Sequence, residues 1–374
     1  MVRTSEIVGS SPVGLTRRAR VVYVAGIAPL VVLALLSLAH FIYHFNTGSL
    51  AFDFRGAYLS GAQAIIDGQP LYPSLDGPAL ASQTAYVYPP PLAYLVLPFT
   101  LLPESVAAVL AVVIVAAVLV ATLALLGVRD LRCYASMLLW APTVNALHMA
   151  SASALVALAA ALTWRYRATV WPLATAIGLG IAIKLILWPL FVWTVATRRF
   201  RSTALAGLVG GGVTLALWGA LSFEGLDRYP AMLRRLAELE AEDSYSFVGA
   251  LKSVGLADVA SQAVAIVAGV ALLVACVAFA RRGDDLRSFT LSLAAALAFS
   301  PIVWLHYLVV LLVPLAIARP RFSAVWLLPL LLWLTPLNGN GEAIQPFLPA
   351  LVAAVLIVLV LLVPEHRPRA PVAA

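Results

Sequence analysis

The run from Val106 to Val128, VAAVLAVVIVAAVLVATLALLGV, holds no charged residue and one hydroxyl, Thr122. A bilayer's hydrocarbon core takes about 20 apolar residues of α-helix, so this stretch is long enough to cross it. The runs Ala257 to Ala280 and Phe347 to Val363 are of the same kind. Across the 374 residues, 63% are hydrophobic and 11% charged, with a mean hydropathy of +0.98. Soluble domains are roughly 45–50% apolar and about 25% charged. The composition predicts an all-α polytopic membrane protein. A transmembrane barrel would instead show alternation in short strands.

The net charge of +7 lies in short loops between apolar runs. That distribution fits the excess of Lys and Arg in cytoplasmic loops and excludes a nucleic-acid surface. Arg3, Arg17, Arg18 and Arg20 precede the first apolar segment. Further clusters fall at Arg129/Arg132, Arg165/Arg167, Arg198/Arg199/Arg201, Arg281/Arg282/Arg287, Arg319/Arg321 and Arg367/Arg369. Placing all of these in the cytoplasm accounts for 18 of the 24 Lys and Arg residues. It leaves Arg55, Lys184, Arg228, Arg234, Arg235 and Lys252 elsewhere.

That arrangement predicts about twelve spans: 21–43, 104–127, 133–147, 150–164, 170–183, 186–197, 203–222, 257–280, 288–301, 303–318, 322–337 and 346–363. Both termini are then cytoplasmic, in one integral membrane domain over 1–374. Segment 21–43 is a retained first span, 44–103 a long outer loop, 104–363 the remaining spans and 223–255 a second outer loop. Leu92 to Leu102, bounded by prolines, is a short oblique helix. The ionisable residues that break apolar runs then share the outer face. These are Asp53, His148 beside Asn145, Lys184, the stretch Ser300 to His306, and the loop Leu337 to Gln345.

Asp53 stands in Ala51-Phe52-Asp53-Phe54-Arg55. It is either a solvated loop residue or helix cap, or a carboxylate whose basicity is raised by Phe52, Phe54 and Tyr58 until it serves as a general base. In Ile66-Asp67-Gly68, Gly68 is expected to end a helix in the left-handed conformation. Leu71-Tyr72-Pro73 and Tyr86-Val87-Tyr88-Pro89-Pro90-Pro91 form either an interfacial aromatic belt or a platform on which sugar faces stack. His306 follows the Ser300-Pro301 break, and Trp304 lies just before it. An ionisable residue inside a membrane body is a functional candidate. Lys184 interrupts an apolar run and suits an anionic head group. Arg234 and Arg235 belong to an amphipathic helix with a solvated face.

Gly210-Gly211-Gly212 sits within a span, where it permits close helix approach or a kink. Cys133 and Cys276 fit no ligand spacing and are expected to be inert. No P-loop, GxSxG, CxxC pair, HExxH or Asp-x-Asp is present, and the adjacent pair Asp284-Asp285 is predicted to be cytoplasmic. A nucleotide-sugar donor is therefore disfavoured, and neither a metal nor a cofactor is expected.

Four segments together resemble glycosyltransferase family 87. They are Asp53 through Tyr86-Val87-Tyr88-Pro89-Pro90-Pro91, Ala182-Ile183-Lys184-Leu185, Ser244-Tyr245-Ser246-Phe247-Val248-Gly249, and Ser300-Pro301-Ile302-Val303-Trp304-Leu305-His306-Tyr307. The resemblance implies a GT-C fold and a polyprenyl-phosphate sugar donor, with catalytic roles on Asp53 and His306. It further implies transfer of mannose to a glycolipid acceptor of the phosphatidylinositol mannoside or lipomannan type at the outer face of the plasma membrane. Arabinofuranose is the alternative sugar. Lys184 and His306 would neutralise the departing phosphate, and Tyr58, Tyr72, Tyr88, His148 and Trp304 would bind substrate. One departure is clear: members commonly carry Gly-Gln-x-Asn where this chain has Asn145-Ala146-Leu147-His148. The rivals from other classes are a lipid-linked sugar flippase, which would usually show repeated halves, and a non-catalytic membrane scaffold.

Overall fold

A computed structural model describes residues 17–82, 84–241, 243–335 and 347–363, with side chains from residue 28 onward. The expected loop Leu337 to Gln345 and the terminal arginines Arg3, Arg367 and Arg369 lie outside the described residues, as do the side chains of Arg17, Arg18 and Arg20. The chain divides into two units, residues 1–48 and 49–374. The first contains α1 (Arg17–Asn46), apolar enough over Ala28–Asn46 to cross a membrane.

The second unit has helices and no strand among its described residues. A π-helical turn at Phe54–Leu59 leads into α2 (Ser60–Ile66), followed by α3 (Pro78–Ala81) and α4 (Pro90–Val96). Then come α5 (Glu104–Leu125), α6 (Leu131–Leu139), α7 (Ala141–Met149), α8 (Ser153–Arg165) and α9 (Val170–Ile183). After α10 (Leu190–Ala196), α11 (Phe200–Ala220) and α12 (Tyr229–Glu240), the chain continues through α13 (Phe247–Ser253) and α14 (Asp258–Arg281). The last elements are α15 (Asp285–Phe299), a 3₁₀ segment Leu305–Leu311, α16 (Leu312–Ala318), a 3₁₀ segment Ala324–Leu334 and α17 (Phe347–Leu361).

The expected count of about twelve spans is not supported. Among the described residues, four helices are long and apolar enough to cross a membrane: Ala28–Asn46, α5, α11 and α14. The number rises to five if α7 and α8, bent by 118° at their junction, count as one broken span. The reason is length. The 14 residues of α9 reach about 21 Å at 1.5 Å per residue, short of the roughly 30 Å of hydrocarbon. Charge in the loops shows where the chain turns back, not whether the intervening segment is one straight helix.

The short helices are packed inside the protein. The side chains of Trp140, Trp193, Trp326, Phe289 and Ile177 are fully buried. Trp140 donates its indole N–H to the carbonyl of Trp326 at 2.9 Å, and Ser136 Oγ donates to the same oxygen at 2.8 Å. Arg199 holds Asp285 with two bonds of 3.0 and 2.7 Å, fastening the start of α11 to that of α15. Both cysteines are free and buried.

The glycine run acts through one member. A Cβ on Gly178 of α9 would stand 2.7 Å from the carbonyl oxygen of Ala206 and 2.9 Å from the amide of Gly210 on α11. A Cβ on Gly210 would stand 2.7 Å from the carbonyl of Gly178, whereas Gly211 and Gly212 meet nothing within 4 Å. The two backbones therefore touch at one crossing, as small residues allow in membranes. Gly210→Ala should lower the thermal unfolding midpoint in detergent, with a cost of about 1–3 kcal/mol from overpacking. Gly211→Ala should leave it unchanged or raise it.

Candidate active site

The site assembles where helices break. At the first break, Ala51 takes a left-handed conformation (φ 60°) and its amide donates to the carbonyl of His148 at 2.7 Å. Asp53 follows in helical geometry and makes no capping bond with its side chain. Its carboxylate turns inward instead. Tyr58 Oη donates to Asp53 Oδ2 at 3.5 Å and lies 3.4 Å from Tyr88 Oη. The same Tyr58 oxygen accepts from the amide of Ala152 at 3.3 Å. That amide is available because α7 ends at Met149, is capped by the left-handed Ala150 (φ 47°), and α8 starts anew at Ser153.

The other partners come from two further breaks. Lys184 is extended (φ −152°, ψ 120°) between α9 and the 3₁₀ turn Leu185–Leu187. Its side chain is buried, with Nζ 3.3 Å from Ser153 Oγ, 3.3 Å from the centroid of the Tyr307 ring and 5.5 Å from that of Tyr88. A desolvated ammonium on an aromatic face gains about 2 kcal/mol or more. His306 opens the 3₁₀ segment after the extended Trp304. Its Nε2 approaches Asp53 Oδ2 to 3.7 Å, with side chains 3% and 19% exposed. Its Nδ1 lies 2.9 Å from Asn145 Oδ1.

These groups line two adjoining clefts. The first includes Asp53, Asn145, Glu240, Trp304, His306 and Tyr88, around an open space of about 820 Å³ that includes its solvent mouth. The second is more apolar. Lys184 there stands among Ile186, Trp188, Leu233, Phe299 and Pro301. Val87, Tyr88, Leu236, Ile302 and Tyr307 border both. One cleft thus holds two carboxylates, Asp53 and Glu240, with the His306 imidazole, and the next a lysine beside an apolar wall.

The Tyr-Pro loop is largely scaffold. Tyr72 lines neither cleft. It stacks on Trp218 and donates its hydroxyl to the carbonyl of Tyr88 at 3.0 Å. Tyr229 of α12 donates to the carbonyl of Val87 at 3.1 Å, and Tyr86 Oη accepts from the amide of Ala93 at 2.9 Å. Two phenols, Tyr72 and Tyr229, therefore hold the Val87-Tyr88 backbone, and Tyr86 ties the turn that follows to α4, so that the Tyr88 ring faces the clefts. Gly68 ends α2 with φ 63°, as its sequence context predicts. His148 is buried at the end of α7, supplies its carbonyl to Ala51, and lines neither cleft. Sequence reasoning did not select Asn145, Ser153, Glu240 or Tyr307 as site residues. Tyr307 ends the Ser-Pro motif and Asn145 was expected near the same membrane level, but no pattern marked Ser153 or Glu240.

Asp53 lies outside the helices long enough to span. Burial pushes its carboxyl up to about 6, while the charge of Lys184 and the hydrogen bond from Tyr58 act in the opposite direction. A carboxylate in that range is suited to take a proton near neutral pH.

The site thus sets a half-buried carboxylate beside an apolar cleft that holds a lysine, within an all-helical body rich in apolar helices. The sequence profile of Glycosyltransferase family 87 matches residues 86–305, more than half of the chain, and the chain belongs to that family. Membership supports glycosyltransferase activity. The match takes in Tyr88, Asn145, His148, Lys184 and Trp304, while Asp53, Tyr58, Tyr72 and His306 lie outside it. No curated protein and no solved structure matches the chain significantly.

An activity that needs ionised Asp53 should fall as pH drops through about 6, because the protonated carboxyl no longer accepts a proton. In Tyr58→Phe the loss of the hydroxyl removes one bond that favours the charged form. The acid limb of the pH–rate profile should then move to higher pH, as measured by initial rates across a buffer series.

Proposed function

We propose that this protein is an inverting glycosyltransferase of GT-C type. It would move mannose from a polyprenyl-phosphate carrier to a lipid-anchored mannoside at the outer face of the plasma membrane. The observation that carries this reading is the pairing of two clefts across Tyr88 and Tyr307. Asp53 and His306 stand 3.7 Å apart on one side, and Lys184 stands in apolar surroundings on the other.

In this reading Asp53 takes the proton of an acceptor hydroxyl as its oxygen attacks the anomeric carbon. The bond from that carbon to the phosphate oxygen breaks, and the electron pair leaves with the phosphate. The leaving group is already a stable anion, so catalysis rests mainly on orientation and on electrostatic support where charge accumulates. Lys184 supplies that support. The apolar residues around it, Ile186, Trp188, Leu233 and Phe299, suit the first isoprene units of a carrier lipid. The sugar would then lie toward Trp304 and Tyr88.

The test uses purified protein in detergent with polyprenyl-phosphate mannose and a phosphatidylinositol mannoside acceptor. Asp53→Asn should lower kcat by about 10²-fold or more. Lys184→Met should lower kcat/KM for the lipid donor while the protein remains folded. Near-wild-type turnover in Asp53→Asn would remove the general-base role. Transfer of arabinofuranose alone, with mannose ignored, would replace the sugar assignment.

A further inference from the structure

Asn145 and His306 lie on different elements, α7 and the 3₁₀ segment Leu305–Leu311. Asn145 is 1% exposed and His306 2%. Two donors of His306 reach one oxygen: its backbone N–H lies 3.2 Å from Asn145 Oδ1 and its Nδ1 2.9 Å from the same atom. An amide oxygen only accepts hydrogen bonds. Nδ1 must therefore carry a proton, and in the neutral ring Nε2 presents a bare lone pair. Among the described residues, Nε2 is buried and makes no hydrogen bond. It faces Asp53 Oδ2 at 3.7 Å, too long for a bond between them.

Two acceptors 3.7 Å apart with no proton shared between them repel, and an O–H group set beside the pair relieves this by donating to both. The acceptor substrate brings such a donor, its hydroxyl. We infer that Asn145 is a positioning residue: it fixes His306 as the Nδ1–H tautomer, so that His306 Nε2 and Asp53 Oδ2 together form the seat for the O–H group that loses its proton. This rests on the transferase reading only for the identity of that hydroxyl. During attack, the proton passes from the acceptor oxygen to Asp53, with Nε2 as the second acceptor that aims the O–H. The new C–O bond forms, the bond to phosphate breaks, and the departing electron pair is met by Lys184. His306 thus has a different part from the anion-neutralising one expected from the sequence. Its lone pair faces the carboxylate cleft, and Lys184 alone serves the phosphate cleft.

The tautomer is observable without activity. The chain has five histidines, so full-length protein labelled with ¹⁵N at histidine and held in nanodiscs gives few ring signals. His306→Gln identifies the one of interest. The wild type should show a protonated Nδ1 and a bare Nε2. In Asn145→Leu the proton should move to Nε2 or exchange between the two nitrogens. The same variant should lose roughly tenfold or more in kcat with KM for the lipid donor unchanged. Asn145→Asp, which keeps the acceptor oxygen, should retain Nδ1–H and recover turnover above the leucine variant. A wild-type ring protonated on Nε2 overturns the inference. So does an Asn145→Leu protein in which neither tautomer nor kcat changes. If the tautomer is as stated but no sugar leaves any lipid donor, the transferase reading falls while the hold of Asn145 on the ring stands.

Discussion

Keeping a carboxylate, an ammonium and an imidazole within one apolar membrane protein is the constraint on which this structure depends. Moving an isolated charge out of water costs several kcal/mol even after relaxation. The fold meets that cost with specific partners. Asp53 has the Tyr58 hydroxyl and the field of Lys184. Lys184 has Ser153 and the face of Tyr307. His306 has Asn145. Tyr58 is five residues from Asp53, but Lys184, Ser153, Tyr307 and Asn145 reach the groups they serve from segments distant in sequence, so the site exists only when the second unit is folded.

The breaks in the helices serve the same end. Irregular backbone at membrane depth is tolerated only where protein surrounds it. Four of the irregular points here, Ala51, Ala150–Ala152, Lys184 and Ser300–Trp304, each bring a group to the site. The bend between α7 and α8 frees the Ala152 amide for Tyr58 and brings Ser153 to Lys184. An unbroken helix at 183–185 would continue the apolar run and carry Lys184 with it. Short helices are thus how the protein reaches its site, which is why counting spans from hydropathy overshoots.

Much of the site was legible in the sequence because charge in an apolar run is conspicuous. Asp53, Lys184 and His306 stood out on that ground, and the structure brings them to adjoining clefts. The membrane character followed from composition; the glycine run was legible only as a place for close helix approach or a kink, and its partner Gly178 on α9 was not. What was hidden depends on which backbone carbonyl or hydroxyl faces which ring. Tyr72 and Tyr88 look alike in the chain, yet one braces the backbone and the other borders both clefts. Ser153 is one small polar residue among many, and only the bend after Ala150 gives it a role. Glu240 sits at the end of an amphipathic helix whose charged pattern, with Arg235 paired to Glu238, suggests a solvated face, yet Glu240 itself is buried at the cleft.

The central claim is that the two clefts divide one reaction between them, phosphate with Lys184 and proton with Asp53 and His306. A cryo-electron microscopy structure with a non-hydrolysable polyprenyl-phosphate sugar analogue bound tests it most directly. The account predicts a phosphate oxygen within about 4 Å of Lys184 Nζ, the distance of an ion pair. The isoprene chain should run along Trp188 and Phe299, and the anomeric carbon should face the gap between Asp53 and His306. A phosphate seated away from Lys184, or a sugar directed away from Asp53, would contradict it.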